Sequence, residues 1–429
     1  MSLSELNRIG TILKQALAMP TVNDLGRMTG QARRLRTVTP HRLFLAVVSA
    51  LAARRVETLA DLLRVFNHQQ GVRVAYKAFY NRLARPGFEA FMRAMCGRLM
   101  RDCRLQTLEP DGAQAVAQFR DIVIQDGSSF ALKRALRDVF PGRFTTKGPA
   151  AVEIHATYSG YADDVTTIHL APDCEAERQF LPEPSGLTGC LFLADRGYPS
   201  VPYFTAVRAH GGAFIIRLST SHDPYVTAAW QQGRRLPLAP QIRLSRFLAQ
   251  HAGVSVDLDI EYRKADHADR FRLVVVPGRA GQTSRLCTNL SRTTFSAALV
   301  GRLYRFRWQI ELCFKEWKSY ANLHRFDTAN PHIAAGLIWA GLCAALLKRF
   351  LAHAAQRVGH GAAMSTRRVA MCAHLLLTDL VSALVEGRGL RKAWQHAMEY
   401  LLANAGRSNV PRDQRIGRLR SGLVLVGGA

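Results

Sequence analysis

The spacing of apolar and polar residues changes character twice along the chain. Over residues 1–105 it follows the helical period of about 3.6 residues. Thr39-Pro40 opens one helix, since proline at the first helical position gives up an N–H that has no partner there, and an apolar run to Ala53 follows. A second helix fits Thr58–Asn67 and a third Ala75–Ala84, stopped by Pro86. A short turn containing Gly71 joins these two as in a helix-turn-helix, with Tyr76, Lys77, Tyr80, Asn81 and Arg85 on the polar face. An ordinary helical bundle with basic outer faces fits the same pattern.

Near residue 120 β-branched residues and period-two alternation take over. Asp121–Gln125 reads as a short strand ending at Asp126-Gly127, and Val152–Ser159 and Val165–Leu170 read as a hairpin linked through Gly160. A helical patch follows around Glu175–Phe180, then the strand Cys190–Ala194 ending at Asp195, a helix over Val201–His210 and a strand over Ala213–Leu218. The order β-β-β-α-β-α-β is that of an α/β core with an RNase H-like mixed sheet, although order alone does not fix a fold. Residues 219–290 read as a mainly β insertion, with runs at Phe271–Val276 and Leu286–Leu290. From Thr294 the helical period returns through Tyr320, then over Ile333–Leu351, Ser365–Leu384 and Gly389–Ala403. The expected organisation is a helical part over 1–110, the α/β core over 111–218 and 291–350, the insertion 219–290, and a helical C-terminal part over 351–429 with a basic tail.

Charge points to the partner. The 429 residues carry 58 Lys+Arg against 32 Asp+Glu, a net charge of +26. Residues 1–110 hold 18 basic and 7 acidic residues, and residues 390–429 hold 7 and 2, so both ends are more basic than the middle. With 48% apolar residues the chain is globular, and its charge favours a polyanion, nucleic acid ahead of a membrane surface. The N-terminus lacks a signal-peptide core, and the longest uncharged apolar stretch, Ile333–Leu347, falls short of the ~20 residues that span a bilayer. Eight cysteines without a C-x-x-C argue against a zinc ribbon and suit reduced thiols in the cytoplasm. No G-x-x-x-x-G-K-[ST] loop, G-x-S-x-G elbow or H-E-x-x-H is present. His155 and His169 fall within strands and read as packed or surface histidines.

The candidate chemistry lies on the segment Leu303–Tyr320, read as one helix. With Tyr304 at zero, a turn of about 100° per residue puts Arg307 at about −60°, Glu311 at about −20° and Lys318 at about −40°. Leu303, Phe306, Ile310, Phe314 and Trp317 fall on an adjoining face that would bury. Glu316 points elsewhere, so geometry selects Glu311. An i, i+4 ion pair on a solvated helix accounts for Arg307 and Glu311, but not for Tyr304 and Lys318 on the same arc. Asp126 and Asp195, each ending a strand, could lie together on one sheet. Asp163, Asp164 and Asp173 are rival carboxylates without that context.

Tyr304-x2-Arg307-x3-Glu311-x6-Lys318, within LYRFRWQIELCFKEWKSY, resembles the Y-(2)-R-(3)-E-(6)-K signature of a large group of bacterial insertion-sequence DDE transposases. Asp126-Gly127-Ser128 and Asp195-Arg196-Gly197-Tyr198 resemble that group's D-G-[ST] and D-R-G-[YF], and the likeness runs from about residue 120 to 350. It implies an RNase H-like core in which Asp126, Asp195 and Glu311 are catalytic and bind two Mg²⁺ ions per site, Mn²⁺ substituting. Two-metal phosphodiester cleavage needs carboxylates in such an arrangement. Tyr304, Arg307 and Lys318 would bind DNA phosphates. The implied partners are double-stranded DNA (the element's terminal inverted repeats and the target) and a second copy in a synaptic homodimer, at the nucleoid and away from membranes. The implied reaction cleaves the element's ends and joins them to target DNA, through a hairpin intermediate. Hairpins usually need an aromatic to stack on a flipped base, and in 277–300 only Phe295 is aromatic. The alternatives are a non-catalytic DNA-binding derivative of a transposase and an RNase H-like structure-specific nuclease.

Overall fold

The computed structural model describes residues 2–53, 56–111, 115–144, 146–263, 268–278, 283–320, 328–360, 362–407 and 423–426. Six helices open the chain: α1 (Leu3–Ala16), α2 (Met19–Met28), α3 (Pro40–Ala53), α4 (Leu59–Gln70), α5 (Tyr76–Leu83) and α6 (Pro86–Asp102). Pro86 does stop α5, but it also begins α6, where its fixed φ suits a first helical residue. Thr58 and Asp61 form a reciprocal cap at the start of α4, and Gly71 ends that helix at φ 60°, a conformation that favours glycine. Tyr76, Lys77, Asn81 and Arg85 are exposed around α5, while Tyr80 is half-buried.

The sheet starts from β1 (Leu108–Pro110), which pairs only with β13 (Leu423–Leu425) at the far end of the chain. The main sheet is built from β2 (Ile122–Ala131), β3 (Pro141–Phe144), β4 (Gly148–Ser159), β5 (Asp164–Pro172), β6 (Leu191–Ala194) and β7 (Ala213–Arg217), with α7 (Val201–Ala209) crossing between the last two. Strands β5, β4, β2, β6 and β7 lie side by side in that order. Strands β5, β4 and β2 are antiparallel, whereas β2, β6 and β7 are parallel. This is the RNase H-like arrangement. Two details differ from the sequence expectation. The patch around Glu175–Phe180 forms only a 3-10 turn over Glu177–Phe180, too short for an α-helix. And β2 does not end at Asp126 but continues to Ala131, because β4 pairs with it along its whole second half.

Residues 219–290 form no separate body. They supply β8 (Tyr225–Gln231), β9 (Arg234–Arg235), α8 (Leu244–Gln250), β10 (Val256–Arg263), β11 (Ala268–Pro277) and β12 (Thr283–Thr288), and β12 pairs with β7, so the insertion carries the core sheet onward. One face of the sheet packs under α7 and α8 through Phe204, Phe214, Phe247 and Phe271. The other receives α9 (Ala297–Arg305), α10 (Trp308–Tyr320) and the helical bundle.

The C-terminal helices are α11 (Pro331–Val358), α12 (Thr366–Glu386) and α13 (Leu390–Asn404). The expected division at 350/351 falls inside α11, a single 28-residue helix. This helix is the enclosed axis of one bundle, packed by α6 and α3 from the start of the chain and by α12 and α13 from its end. By length and composition α11 and α12 could each cross a membrane, but 94% of the most apolar window of α11 is covered by protein. Close approach of α6 depends on Gly336, where a Cβ would overlap the Phe88 ring. Gly336→Ala is therefore expected to destabilise the protein by about 1–3 kcal/mol through overpacking, read as a lower midpoint in urea unfolding. The Arg-rich stretch 406–420 lies, after Arg407, outside the described residues.

Candidate active site

The parallel strands bring the first two carboxylates together. Asp126 sits in β2 one residue beyond Gln125, whose partner is Ala194, the last residue of β6; Asp195 follows Ala194 directly. The third carboxylate comes from above the sheet, and here the expected helix Leu303–Tyr320 is in fact two. Helix α9 ends at Arg305 and α10 begins at Trp308, joined by a tight turn in which the Phe306, Arg307, Gln309 and Ile310 N–H groups each bond three residues back. Such bonding tightens the turn to three residues. Ile310, Cys313, Phe314 and Trp317 seat α10 in the core, leaving Glu311 partly exposed beside the sheet.

Arg307 ties the parts together. Its Nη1 donates to Asp126 Oδ2 and its Nη2 to Glu311 Oε1, both at 2.6 Å. The Tyr304 hydroxyl donates to Asp195 Oδ1 at 2.9 Å. Lys318 Nζ donates to the Ser129 carbonyl at 2.7 Å, further along β2. The structure thus gathers Asp126, Asp195, Tyr304, Arg307 and Glu311 around the end of β6, with Lys318 three residues further along β2. It also adds one the sequence reading missed: Arg217, the last residue of β7, whose Nη1 lies 3.7 Å from Asp195 Oδ1. The signal was available, since β7 neighbours β6 in parallel and a cation at its end must flank the residue that ends β6.

Electrostatics divide the two aspartates. Burial raises Asp126 to about 6, with Arg307 opposing and the nearby Glu311 and Asp195 charges adding to the rise. Burial would raise Asp195 too, but Arg307, the Arg196 N–H, the Tyr304 hydroxyl and Arg217 outweigh it and hold its carboxyl below the usual range. The same acidic surroundings keep Arg307 charged despite its burial. Burial lowers Lys318, with Glu153 opposing.

The motif glycines have a local cause. A Cβ on Gly127 would overlap the Glu153 carboxylate, and one on Gly197 the carboxylate of Glu177. These acids belong to a group on the opposite sheet face with Arg143, whose Nη2 is 3.5 Å from Glu153 and 3.9 Å from Glu177. His155 is buried there and stacks on Phe180 with ring centroids 3.8 Å apart; His169 packs against the same ring. The rival Asp173 bonds the Arg143 backbone, and Asp163 and Asp164 are buried against Arg349 in α11. Phe295 is buried against Phe119, so it offers no open ring to a base.

A divalent cation is a fair test of this donor set. The three carboxylates supply only hard oxygen atoms, the donors Mg²⁺ and Mn²⁺ take, and two of them, Asp126 and Glu311, already share one cationic group, the Arg307 guanidinium. As they stand, no three His, Cys, Asp or Glu side chains among the described residues are close enough to hold an ion. The donor chemistry fits a cation; the spacing fits the guanidinium.

The sheet thus has an RNase H-like order, with one acid on β2, another directly after β6 and a third on a helix that covers them. Residues 117–347, more than half of the chain, match the family model of the transposase DDE domain, and the chain belongs to that family. It is 44% identical over 230 residues to the transposase for insertion sequence element IS421 of Escherichia coli, covering 47% of this chain and 60% of that one. It is 21% identical over 268 residues to the transposase for insertion sequence element IS1151 of Clostridium perfringens, covering 53% and 56%. The chain therefore spans less than two thirds of the length of these curated relatives. The cryo-EM structure of the piggyBac transposase synaptic complex with hairpin DNA aligns over 92% of this chain and 85% of that one, with a TM-score of 0.46 and 9% identity.

Proposed function

We propose that this protein is a DNA transposase that cleaves the ends of its own insertion element and joins them to target DNA. The observation that carries the reading is the convergence of three carboxylates from three separate elements: Arg307 bridges Asp126 and Glu311, and Tyr304, three residues before it, holds Asp195 just after β6. A structural ion pair needs one acid. Three acids at the open end of a parallel sheet, each still partly exposed to solvent, make a place for a phosphodiester and its counter-cations.

Asp126, Asp195 and Glu311 would hold Mg²⁺ or Mn²⁺, which supplies Lewis-acid activation of an attacking oxygen and stabilisation of the leaving one. Arg307 is placed to move from carboxylate to phosphate, where its planar fork makes paired hydrogen bonds. Tyr304 and Arg217 flank Asp195 and would orient the strand there; Lys318 would grip a phosphate further along β2. The surplus of positive charge, +26 in all, supports binding of double-stranded DNA, including the terminal inverted repeats and the target. Joining two ends to one target calls for a synaptic homodimer. Helices α4 and α5 would read the end, with Tyr76, Lys77, Asn81 and Arg85 facing it, and the Arg-rich tail would add phosphate contacts.

The test is a joining assay with the full chain, a plasmid bearing the repeats that flank its gene, and a separate target plasmid. Joined products bounded by short direct repeats are the expected outcome. Cleaved but never joined ends would make the protein a nuclease. Bound, uncut ends would make it a non-catalytic DNA-binding derivative.

A further inference from the structure

Three acids that the active site does not use, Asp163, Asp164 and Glu316, meet at one residue. Arg349, in the middle of α11, is 5% exposed. Its Nε donates to the Asp163 carbonyl at 2.6 Å and lies 3.6 Å from Asp164 Oδ1; its Nη2 donates to Asp163 Oδ1 at 3.1 Å; its Nη1 donates to Glu316 Oε2 at 2.9 Å. The other oxygen of Glu316 accepts from the hydroxyl of Thr366, the first residue of α12. Asp163 is the last residue of the β4–β5 turn, at φ 55°, a conformation uncommon outside glycine, and also accepts from the Tyr158 hydroxyl.

This arrangement closes a circuit. Glu316 follows Glu311 by five residues on α10, so the two carboxylates point about 140° apart around the helix. One reaches the active site and the other reaches Arg349. From Arg349 the path runs to the β4–β5 turn, along β4 to Ala156, and across to its strand partner Asp126. From Asp126 it returns through Arg307 to Glu311. Helix α10 begins just after the tight turn at Phe306–Arg307, and beside its apolar seat at Ile310, Cys313, Phe314 and Trp317 the bond from Arg349 to Glu316 gives it a polar anchor on the side away from Glu311.

We propose that Arg349 and Glu316 are positioning residues of the active site, setting the rotation of α10 and hence the distance of Glu311 from Asp126 and Asp195. This rests on the transposase reading of Asp126, Asp195 and Glu311. A buried ion pair is poor evidence of added stability, because desolvation offsets its attraction. Orientation is the better account of a guanidinium whose acidic partners come from the β4–β5 turn, the start of β5 and helix α10.

The experiment uses the full chain labelled with 5-fluorotryptophan and carrying Glu316→Gln or Thr366→Val, with Thr366→Ser as the conservative control. Trp308 is 45% exposed and lies about 12 Å along α10 from Glu316, so its ¹⁹F resonance reports helix rotation rather than the local change; Trp308→Phe assigns it. Glu316→Gln is expected to shift that resonance, to leave KM for end DNA within about twofold, and to lower kcat by about a hundredfold, the cost of misplacing a reacting group by an ångström. Thr366→Val should move both readouts in the same direction and Thr366→Ser neither. A lower melting temperature with the resonance and kcat unchanged would overturn the proposal, and Thr366→Val decides the matter if Glu316→Gln does not fold. Full cleavage by Glu311→Gln would instead remove the transposase reading, while a shifted Trp308 resonance would still show α10 anchored through Glu316.

Discussion

Asp126→Asn is expected to give a protein that is more stable at pH 7 and does not cleave DNA. In the fold Asp126 is raised from 3.8 to about 6, chiefly by burial. The native state therefore binds the proton more tightly than the unfolded chain. The contribution of Asp126 to stability is fully present below about pH 4 and is lost as pH rises through about 6. At pH 7 the ionised carboxylate costs the fold about 3 kcal/mol, from a shift of about two units at 1.4 kcal/mol each. Asparagine keeps the shape and an oxygen for Arg307 without that charge. In chelator-containing buffer the variant should melt above wild type at pH 7, and the difference should vanish by about pH 4. A variant that melts lower at pH 7 would mean that Arg307 already more than compensates the burial of Asp126.

Arg307→Met should do the opposite. It leaves Asp126 and Glu311 without the cation they share, and removing one partner of a buried pair costs about 3–5 kcal/mol. Differential scanning calorimetry at pH 7 should record this loss, and lowering the pH should restore part of it as Asp126 protonates. Added Mg²⁺ should raise the melting temperature of Arg307→Met more than that of wild type, because in wild type the guanidinium already occupies the carboxylates. Equal Mg²⁺ responses would show that Arg307 and the cation do not draw on the same acids. End cleavage should fall as well, since no fork remains to hold the scissile phosphate.

How far these sites could be read from the chain depended on what kind of information each needed. Hydrophobic period located β6, α7 and β7 to within a residue, since Leu191–Ala194 and Ala213–Ile216 are continuous apolar runs. The motif residues were legible because fixed spacing on one chain segment encodes them. The break at Phe306–Arg307 was not, because no glycine or proline marks it; tertiary packing of Phe306 and Ile310 imposes it. The arc of Tyr304, Arg307, Glu311 and Lys318 was reasoned on one continuous helix, yet the side chains still meet, reaching the sheet from two helices. The continuation of β2 past Asp126 was equally hidden, since Gly127-Ser128-Ser129 looks like a turn until β4 pairs with it. The largest departure concerns the two ends of the chain. Local pattern marked them as helical, but nothing local tells α6 that it will pack on α11 more than 200 residues later. Arg349 was missed for the same reason, since it acts on acids supplied by distant elements.

End cleavage under single-turnover conditions tests the central claim most directly. The DNA is a duplex carrying the terminal repeat, and the proteins are wild type, Asp126→Asn, Asp195→Asn and Glu311→Gln, each checked for folding and for end binding. The account predicts cleavage by wild type with Mg²⁺ or Mn²⁺ and none with chelator. It predicts a loss of about a thousandfold or more in each variant, as expected when several kcal/mol of transition-state stabilisation is withdrawn, with end binding largely retained. Wild-type cleavage by any one of the three folded variants would contradict it.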